Sequence, residues 1–185
     1  MRAWIPRRVR KTAMLALFSL AASGAAGHAQ GSASEAAVKA TYLYKFAPFV
    51  EWPASAFPSQ SSPFYLCVLG DDSFGTVLNQ AVSGQKVDGR PMAVRRLRSV
   101  DAGTGCHILY LGDRADKSAT ATLKSLKGAP VLTVSDQGRI QGAVIRFIVK
   151  GGRVRFAIDT AAASTNRVTI SSKLLSLALS VRPGP

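Results

Sequence analysis

Three short, mostly apolar runs constrain the fold of this chain more than any other feature of its sequence. They lie at residues 64–69, 106–111 and 131–134; the first is continuously apolar, whereas His107 and Thr133 each interrupt one of the other two. Apolar runs of this length, bounded by turn residues, are typical of strands buried on both faces of a sheet. Because segments with helical spacing lie among them, the order predicts successive β–α units and therefore a mostly parallel sheet.

A Gly151-Gly152 pair predicts a β-hairpin further along the chain. The flanking segments, 143–150 and 153–158, alternate as strands do, and Gly-Gly favours a two-residue hairpin turn. We therefore expect an α/β domain whose mostly parallel sheet is flanked by helices and carries an antiparallel hairpin at one edge. The other predicted elements are a strand at 92–97, an extended segment at 168–170 and helices at 35–50, 73–82, 114–126, 160–165 and 172–181. The expected helix N-caps are Ser34, Asp71 or Asp72, Asp113, and Ser171 or Ser172.

The first 29 residues have the organisation of a secretory signal. An apolar run at 12–22 follows a basic segment, and Gly27 and Ala29 supply the small residues that signal peptidase requires. The run is too short for a membrane span, which takes about 20 residues. We predict a cleaved signal over residues 1–29 and one periplasmic domain over residues 30–185, with an uncleaved anchor as the alternative.

Removal of this leader changes the charge of the protein. The leader contains five cations and no acid, so the net charge falls from +14 to +9. Outside the cytoplasm, a basic surface fits an anionic membrane surface, an acidic partner or a cell-wall polymer better than nucleic acid. A solvated basic surface without a specific partner is the alternative.

Cys67 and Cys106 are the two cysteines of the chain. In an oxidising compartment such a pair predicts a disulfide, and each cysteine lies in an apolar run that predicts a strand. Neighbouring parallel strands would bring the two sulfur atoms within bonding distance. There is no C-x-x-C motif, and His107 is the one histidine that remains after leader removal, so neither a redox motif nor a zinc site is expected.

The sequence contains no recognisable catalytic set. His107 lies at the start of a buried run, and without a G-x-S-x-G elbow it is expected to be a core residue rather than a general base. Asp71, Asp72 and Asp113 follow strand ends, where carboxylates hold Mg²⁺ in response-regulator receivers. Acids in such positions are also ordinary helix caps. We therefore expect no enzymatic activity, no cofactor and no metal site.

Several segments, in this order and spacing, resemble the YfiR-like family of periplasmic proteins. They are VKATYLYKFAPFVEWP (38–53), FYLCVLGDDSFG (64–75), GRPMAVRRL (89–97), CHILYLG (106–112), VLTVSD (131–136), IRFIVKGGRVRFAID (145–159) and ISSKLLSLA (170–178). The resemblance covers residues 38–181, which is almost all of the predicted mature chain.

The resemblance implies a periplasmic α/β domain that often dimerises and acts by binding. The best-known member of the family represses a membrane-bound diguanylate cyclase by binding its periplasmic sensor domain, which lowers cyclic-di-GMP and disfavours biofilm. Such a repressor needs no active site. We therefore expect an inner-membrane signalling protein, in particular a diguanylate cyclase, as the partner, and a homodimer as an expected assembly.

The resemblance also suggests functional residues. Cys67 and Cys106 match a disulfide of the family, which would be either a staple or a redox switch. A second cysteine pair near the hairpin of the best-known repressor is absent here, where Gln141 and Ile148 stand. The partner surface is predicted along the hairpin and the following turn, with candidate partner-binding residues Arg153, Arg155, Asp159 and Arg167.

A second function class remains open from the sequence. Open α/β sheets form a crevice at the carboxyl ends of their strands, where small ligands bind. The alternative prediction is therefore a periplasmic small-ligand-binding protein or receptor accessory protein.

Overall fold

The structure is a computed structural model that describes residue 1 and residues 26–112, 116–136 and 140–184. Most of the predicted leader and the predicted cap Asp113 lie outside these residues. Cleavage near Ala29 and the domain division at residue 30 therefore stay predictions. Within the described ranges, no helix is both long enough and apolar enough to cross a membrane.

Helices and strands alternate along most of the chain. The α-helices are α1 (Ala26–Phe46), α2 (Thr76–Val82), α3 (Asp116–Ser125), α4 (Thr160–Thr165) and α5 (Ser172–Leu177), with short 3-10 helices at Ala47–Phe49 and Ala54–Ala56. The strands are β1 (Val50–Glu51), β2 (Phe64–Leu69), β3 (Lys86–Val87), β4 (Arg90–Leu97), β5 (Ile108–Leu111), β6 (Leu132–Ser135), β7 (Ile145–Lys150), β8 (Arg153–Asp159), β9 (Thr169–Ile170) and β10 (Ser180–Arg182).

Eight of these strands form one sheet in the order β10-β8-β7-β6-β5-β2-β4-β3. The five strands β4, β2, β5, β6 and β7 are parallel, in the 2-1-3-4-5 order of flavodoxin-like sheets. The hairpin strand β8 is antiparallel to β7, and β3 is antiparallel to β4. The predicted α/β class and mostly parallel sheet are therefore confirmed.

The C-terminal segment differs from its prediction. The sequence predicts a helix up to residue 181, but α5 ends at Leu177 and Ser180–Arg182 forms β10. The open edge of β8 supplies backbone partners, since the Leu179 N–H donates to the Phe156 carbonyl (2.8 Å) and β10 pairs in parallel with the end of β8. β10 thus lies outside the end of β8, and the predicted edge position of the hairpin holds only for the first half of β8.

The N-terminal helix also has different bounds from those predicted. α1 begins at Ala26 rather than residue 35, and it ends at Phe46 rather than residue 50. Pro48 follows in a 3-10 turn, and Val50 has an extended backbone (φ −125°, ψ 135°). Proline lacks the N–H that a continuing α-helix needs, which accounts for the earlier end.

The prediction that Asp71 or Asp72 caps the second helix is wrong. α2 begins at Thr76 and has no side-chain cap. Asp72 instead accepts a hydrogen bond from the Phe74 N–H (2.9 Å) and pairs with Arg96 (2.5 Å). This carboxylate therefore stabilises the turn that precedes the helix.

The caps of α4 and α5 are made by side chains. Oγ of Ser171 accepts a hydrogen bond from the Leu174 N–H (3.3 Å), as predicted. Oδ1 of Asp159 accepts one from the Ala162 N–H (3.0 Å). Each such cap contributes about 1 kcal/mol to helix stability.

Apolar side chains cover both faces of the sheet, because residues alternate in direction along each buried strand. Leu66 and Val68 belong to one cluster, whereas Cys67 and Leu69 belong to the other. The first cluster includes, from the helices, Leu43, Phe46, Leu78, Val82, Ala163 and Leu174. The second includes Ala119 of α3 and Leu126 just after it.

Aromatic rings hold α1 against the β7–β8 hairpin. Tyr42 and Phe46 lie on α1, and both contact Phe147 of β7 and Phe156 of β8, with ring centroids 5.2 to 6.1 Å apart. Complete burial of one such side chain contributes about 1.5–3 kcal/mol. The packing fixes the hairpin relative to the first helix.

Candidate functional site

Two of the predicted partner-binding residues lie side by side on the hairpin. Arg153 and Arg155 alternate with the buried Val154 and Phe156 along β8, so both arginine side chains are exposed on the same side of the strand. No carboxylate of the described residues forms an ion pair with either arginine. Both guanidinium groups are therefore available to an acidic partner.

These arginines adjoin two exposed leucines at the end of α5. Leu177 is 61% exposed and Leu179 is 50% exposed, and both line the same hollow, so two large apolar side chains are exposed together. With Lys150, Arg153 and Arg155 they line an open hollow of about 620 Å³ that has no acidic residue in its lining. We call these five residues the edge surface: Lys150, Arg153, Arg155, Leu177 and Leu179.

The edge surface includes a stretch of open sheet edge. β10 pairs with residues 157–159 of β8 and leaves the first half of β8 without a neighbour on that side in the described part of the chain. Unpaired strand edges present backbone N–H and C=O groups that can pair with another chain. The edge surface thus combines backbone hydrogen-bonding groups, apolar side chains and positive charge.

The other two predicted partner-binding residues lie elsewhere. Asp159 is buried, caps α4 and forms an ion pair with Arg182, so it stabilises the fold. Arg167 is exposed in the turn after α4, with a φ of +52°. The neighbouring Asn166 side chain donates to the Val131 carbonyl (2.9 Å), which places this turn beside the start of β6 rather than beside the hairpin tip.

Sequence reasoning missed the two leucines of the edge surface. It placed Leu177 and Leu179 inside a helix that continued to residue 181, where such leucines are expected to face the core. Leu177 ends α5 and Leu179 lies between α5 and β10, so their exposure follows from the end of the helix four residues before the predicted one.

Cys67 and Cys106 form a disulfide, as the sequence predicts. The bond joins β2 to the residue two positions before β5, with the Cα atoms 5.8 Å apart. Cys67 is fully buried and Cys106 is 6% exposed. A soluble reductant therefore reaches this bond only when the surrounding structure opens, which favours a structural role.

His107 is buried next to the disulfide, and both of its ring nitrogens are engaged. Nδ1 accepts a hydrogen bond from the Tyr65 N–H (3.0 Å), so Nε2 carries the proton and donates to the Ala56 carbonyl (3.1 Å). The ring stacks on Phe57 and Phe64, with centroids 4.5 and 4.7 Å apart. This arrangement leaves no free nitrogen for a general base and matches the predicted core position.

The burial of His107 predicts a pH dependence of stability. Burial lowers the pKa of this imidazole from 6.5 to about 4, so the unfolded chain binds more protons than the folded chain between these values. The stabilisation is complete above pH 6.5 and is lost as the pH falls towards 4. Between pH 7 and pH 4, the free energy of unfolding should fall by about 3 kcal/mol more in the wild type than in His107→Gln. Urea unfolding across this range measures the difference, and equal slopes for the two proteins would contradict it.

A buried ionic cluster joins α1 to the carboxyl end of β6. Nζ of Lys39 donates to Oδ2 of Asp136 (2.6 Å) and to Oε1 of Glu35 (2.5 Å), and the Tyr110 hydroxyl donates to the same Oδ2 (2.9 Å). We call these four residues the Lys39 cluster. Burial alone would lower the pKa of Lys39, but the hydrogen bonds and charges of Asp136 and Glu35 outweigh burial and raise it above 10.5.

The described acidic residues at the carboxyl edge of the sheet make contacts that stabilise the fold. Asp72 pairs with Arg96, and Asp136 belongs to the Lys39 cluster. A side chain on Gly112 would collide with the Asp71 carbonyl, so the chain after β2 packs directly against the end of β5. Among the described residues, no group of His, Cys, Asp and Glu side chains could hold a metal ion.

A comparison with known protein families gives the chain its classification. Residues 36–179 match the family described as YfiR/HmsC-like. The match spans β1 to β9, the disulfide and all five residues of the edge surface, and it covers well over half of the chain. The chain therefore belongs to the YfiR/HmsC-like family.

Proposed function

We propose that this member of the YfiR/HmsC-like family is a periplasmic regulator that binds and inhibits a membrane-bound diguanylate cyclase or a related sensor. Binding to the sensor's periplasmic domain would hold the cyclase inactive and keep cyclic-di-GMP low. The observation that carries the proposal is the edge surface, an exposed apolar and basic surface on a member of this family. Family membership supports the class of partner, and the edge surface supports the mode of contact.

The composition of the edge surface indicates the chemistry of the partner segment. Lys150, Arg153 and Arg155 attract acidic side chains, whereas Leu177 and Leu179 require apolar ones. An extended segment can also add main-chain hydrogen bonds to an open strand edge. The partner segment is therefore an extended stretch that alternates apolar and acidic residues.

Charge reversal on the hairpin should weaken this complex. We expect the double substitution Arg153→Glu and Arg155→Glu to raise the dissociation constant for the cyclase's periplasmic domain at least about tenfold, because two attractive charges become repulsive. Biolayer interferometry with the periplasmic domain of a membrane-bound diguanylate cyclase from the same organism measures the effect. The loss should shrink as salt is raised, since screening weakens exposed charges.

A matched control separates this site from a general loss of positive charge. Lys86 is exposed on β3, at the opposite edge of the sheet, so Lys86→Glu should leave the dissociation constant unchanged. Equal weakening by Lys86→Glu would overturn the assignment of the edge surface. Absence of any binding by the wild type would overturn the proposed partner.

A further inference from the structure

A second concave region lies between α3 and α4, away from the edge surface. A cavity of about 280 Å³ is lined by Leu123 and Lys124 of α3 and by Ala161 and Ala162 of α4. A smaller cavity of about 110 Å³ extends it towards Arg146 of β7. The two cavities share the lining residues Gln141, Gly142, Asp159 and Arg182. We call this continuous region the α3–α4 groove.

Positive charge dominates the α3–α4 groove. Four cations line it: Lys124, Lys127, Arg146 and Arg182. Asp159 is the one acid among the described residues that line either cavity, and its carboxylate already pairs with Arg182 and accepts the Ala162 N–H. The groove therefore has an excess of positive charge that no side chain in its lining balances.

The position of Arg146 makes the excess positive charge energetically unfavourable when no ligand is bound. Its side chain is half-buried on β7, and no carboxylate of the described residues forms an ion pair with it. Removing a charge from water without a partner is unfavourable, and guanidinium groups pair with carboxylates through two parallel hydrogen bonds. An anion bound beside Arg146 would supply the missing ion-pair partner and so offset the unfavourable free energy of burying the guanidinium.

Part of the groove wall is apolar. Leu123, Ala161 and Ala162 line the larger cavity together with Lys124, whereas Arg146 lines the smaller one. Small-molecule sites commonly combine such apolar walls with a few fixed polar groups, and their volumes begin near 300 Å³. A fitting ligand is short, with an anionic group at each end and a hydrocarbon body between them.

We propose that the α3–α4 groove binds a small organic dicarboxylate. One carboxylate pairs with Arg146, and the other pairs with Lys124 and Lys127 at the α3 end. This site differs from the strand-end crevice that the sequence suggests for a ligand. The proposal does not rest on the proposed function, because no residue of the groove belongs to the edge surface.

Calorimetric titration of the chain with succinate at low salt tests the proposal. We expect saturable binding, with propionate at least about tenfold weaker because it lacks the second carboxylate. Saturating succinate should also raise the melting temperature by about 5 °C or more. No saturable heat up to about 10 mM succinate, or equal binding of propionate or inorganic phosphate, would overturn the dicarboxylate assignment.

Matched variants locate the site. Arg146→Gln and the exposed Lys124→Gln should each weaken succinate binding about tenfold or more, whereas Arg153→Gln on the edge surface should not. Unchanged binding in both groove variants would place the ligand elsewhere and contradict the proposal. Binding of Lys124→Gln to the cyclase domain should stay normal, so this result is independent of the partner experiment.

Discussion

Replacing both cysteines, Cys67→Ser with Cys106→Ser, is expected to lower the free energy of unfolding by about 4 kcal/mol. The disulfide closes a loop with a sequence separation of 39 residues, and its loss frees that loop in the unfolded chain. Because the free-energy change is large relative to the 5–15 kcal/mol typical of whole domains, the melting temperature should fall by about 8–16 °C.

Reduction of the wild type provides the matched control for this loss. Dithiothreitol should lower the melting temperature of the wild type to near that of the double variant and leave the variant unchanged. Mass spectrometry of protein taken from the periplasm should find no free thiol. Two free thiols in that protein, or equal melting temperatures for the wild type and the variant, would contradict a structural disulfide.

Replacing Lys39 alone is expected to lower the free energy of unfolding by an amount similar to that for the loss of the disulfide. Lys39→Met removes the ammonium that pairs with Asp136, and a buried carboxylate that loses its cation typically destabilises a fold by about 3–5 kcal/mol. The ammonium is stabilised by the fold, so its contribution is complete below pH 10.5 and is lost as the pH rises through the raised pKa of Lys39. Urea unfolding at neutral pH measures the loss.

Two further variants distinguish the loss of the Lys39–Asp136 ion pair from the effect of replacing any lysine side chain on α1. Lys39→Met combined with Asp136→Asn removes the buried ion pair and should recover part of the stability, since the carboxylate that remains, Glu35, is 32% exposed to water. Lys45→Met replaces an exposed lysine on the same helix and should change the free energy of unfolding by less than about 0.5 kcal/mol. A Lys39→Met loss as small as that of Lys45→Met would contradict the role of the Lys39 cluster.

The sequence predicted correctly those elements that depend on residues close to one another in the chain. β2 occupies residues 64–69 and α4 occupies residues 160–165, both as predicted. The Gly151-Gly152 turn pairs Lys150 with Arg153, as a two-residue hairpin requires. In these segments, the apolar pattern, the turn residues and the backbone preferences all agree.

The features that the sequence did not predict depend on contacts between residues far apart in the chain. β10 forms because β8 leaves an open edge, a property of the sheet that the C-terminal sequence does not encode. The Lys39 cluster joins residues that are 97 positions apart, so no spacing rule could pair Lys39 with Asp136. Two of the five residues of the edge surface were predicted for the same reason: Arg153 and Arg155 follow the hairpin pattern, whereas the positions of Leu177 and Leu179 depend on how the chain continues into β10.

The most direct test of the proposed function measures the cyclase itself. Membrane vesicles that contain a diguanylate cyclase with a periplasmic sensor domain, from the same organism, would be loaded with this protein on the periplasmic side, and cyclic-di-GMP synthesis would be followed with time. We expect the wild type to inhibit synthesis and the Arg153→Glu, Arg155→Glu variant to inhibit much less, with Lys86→Glu equal to the wild type. An unchanged rate of synthesis at saturating wild-type protein would contradict the account.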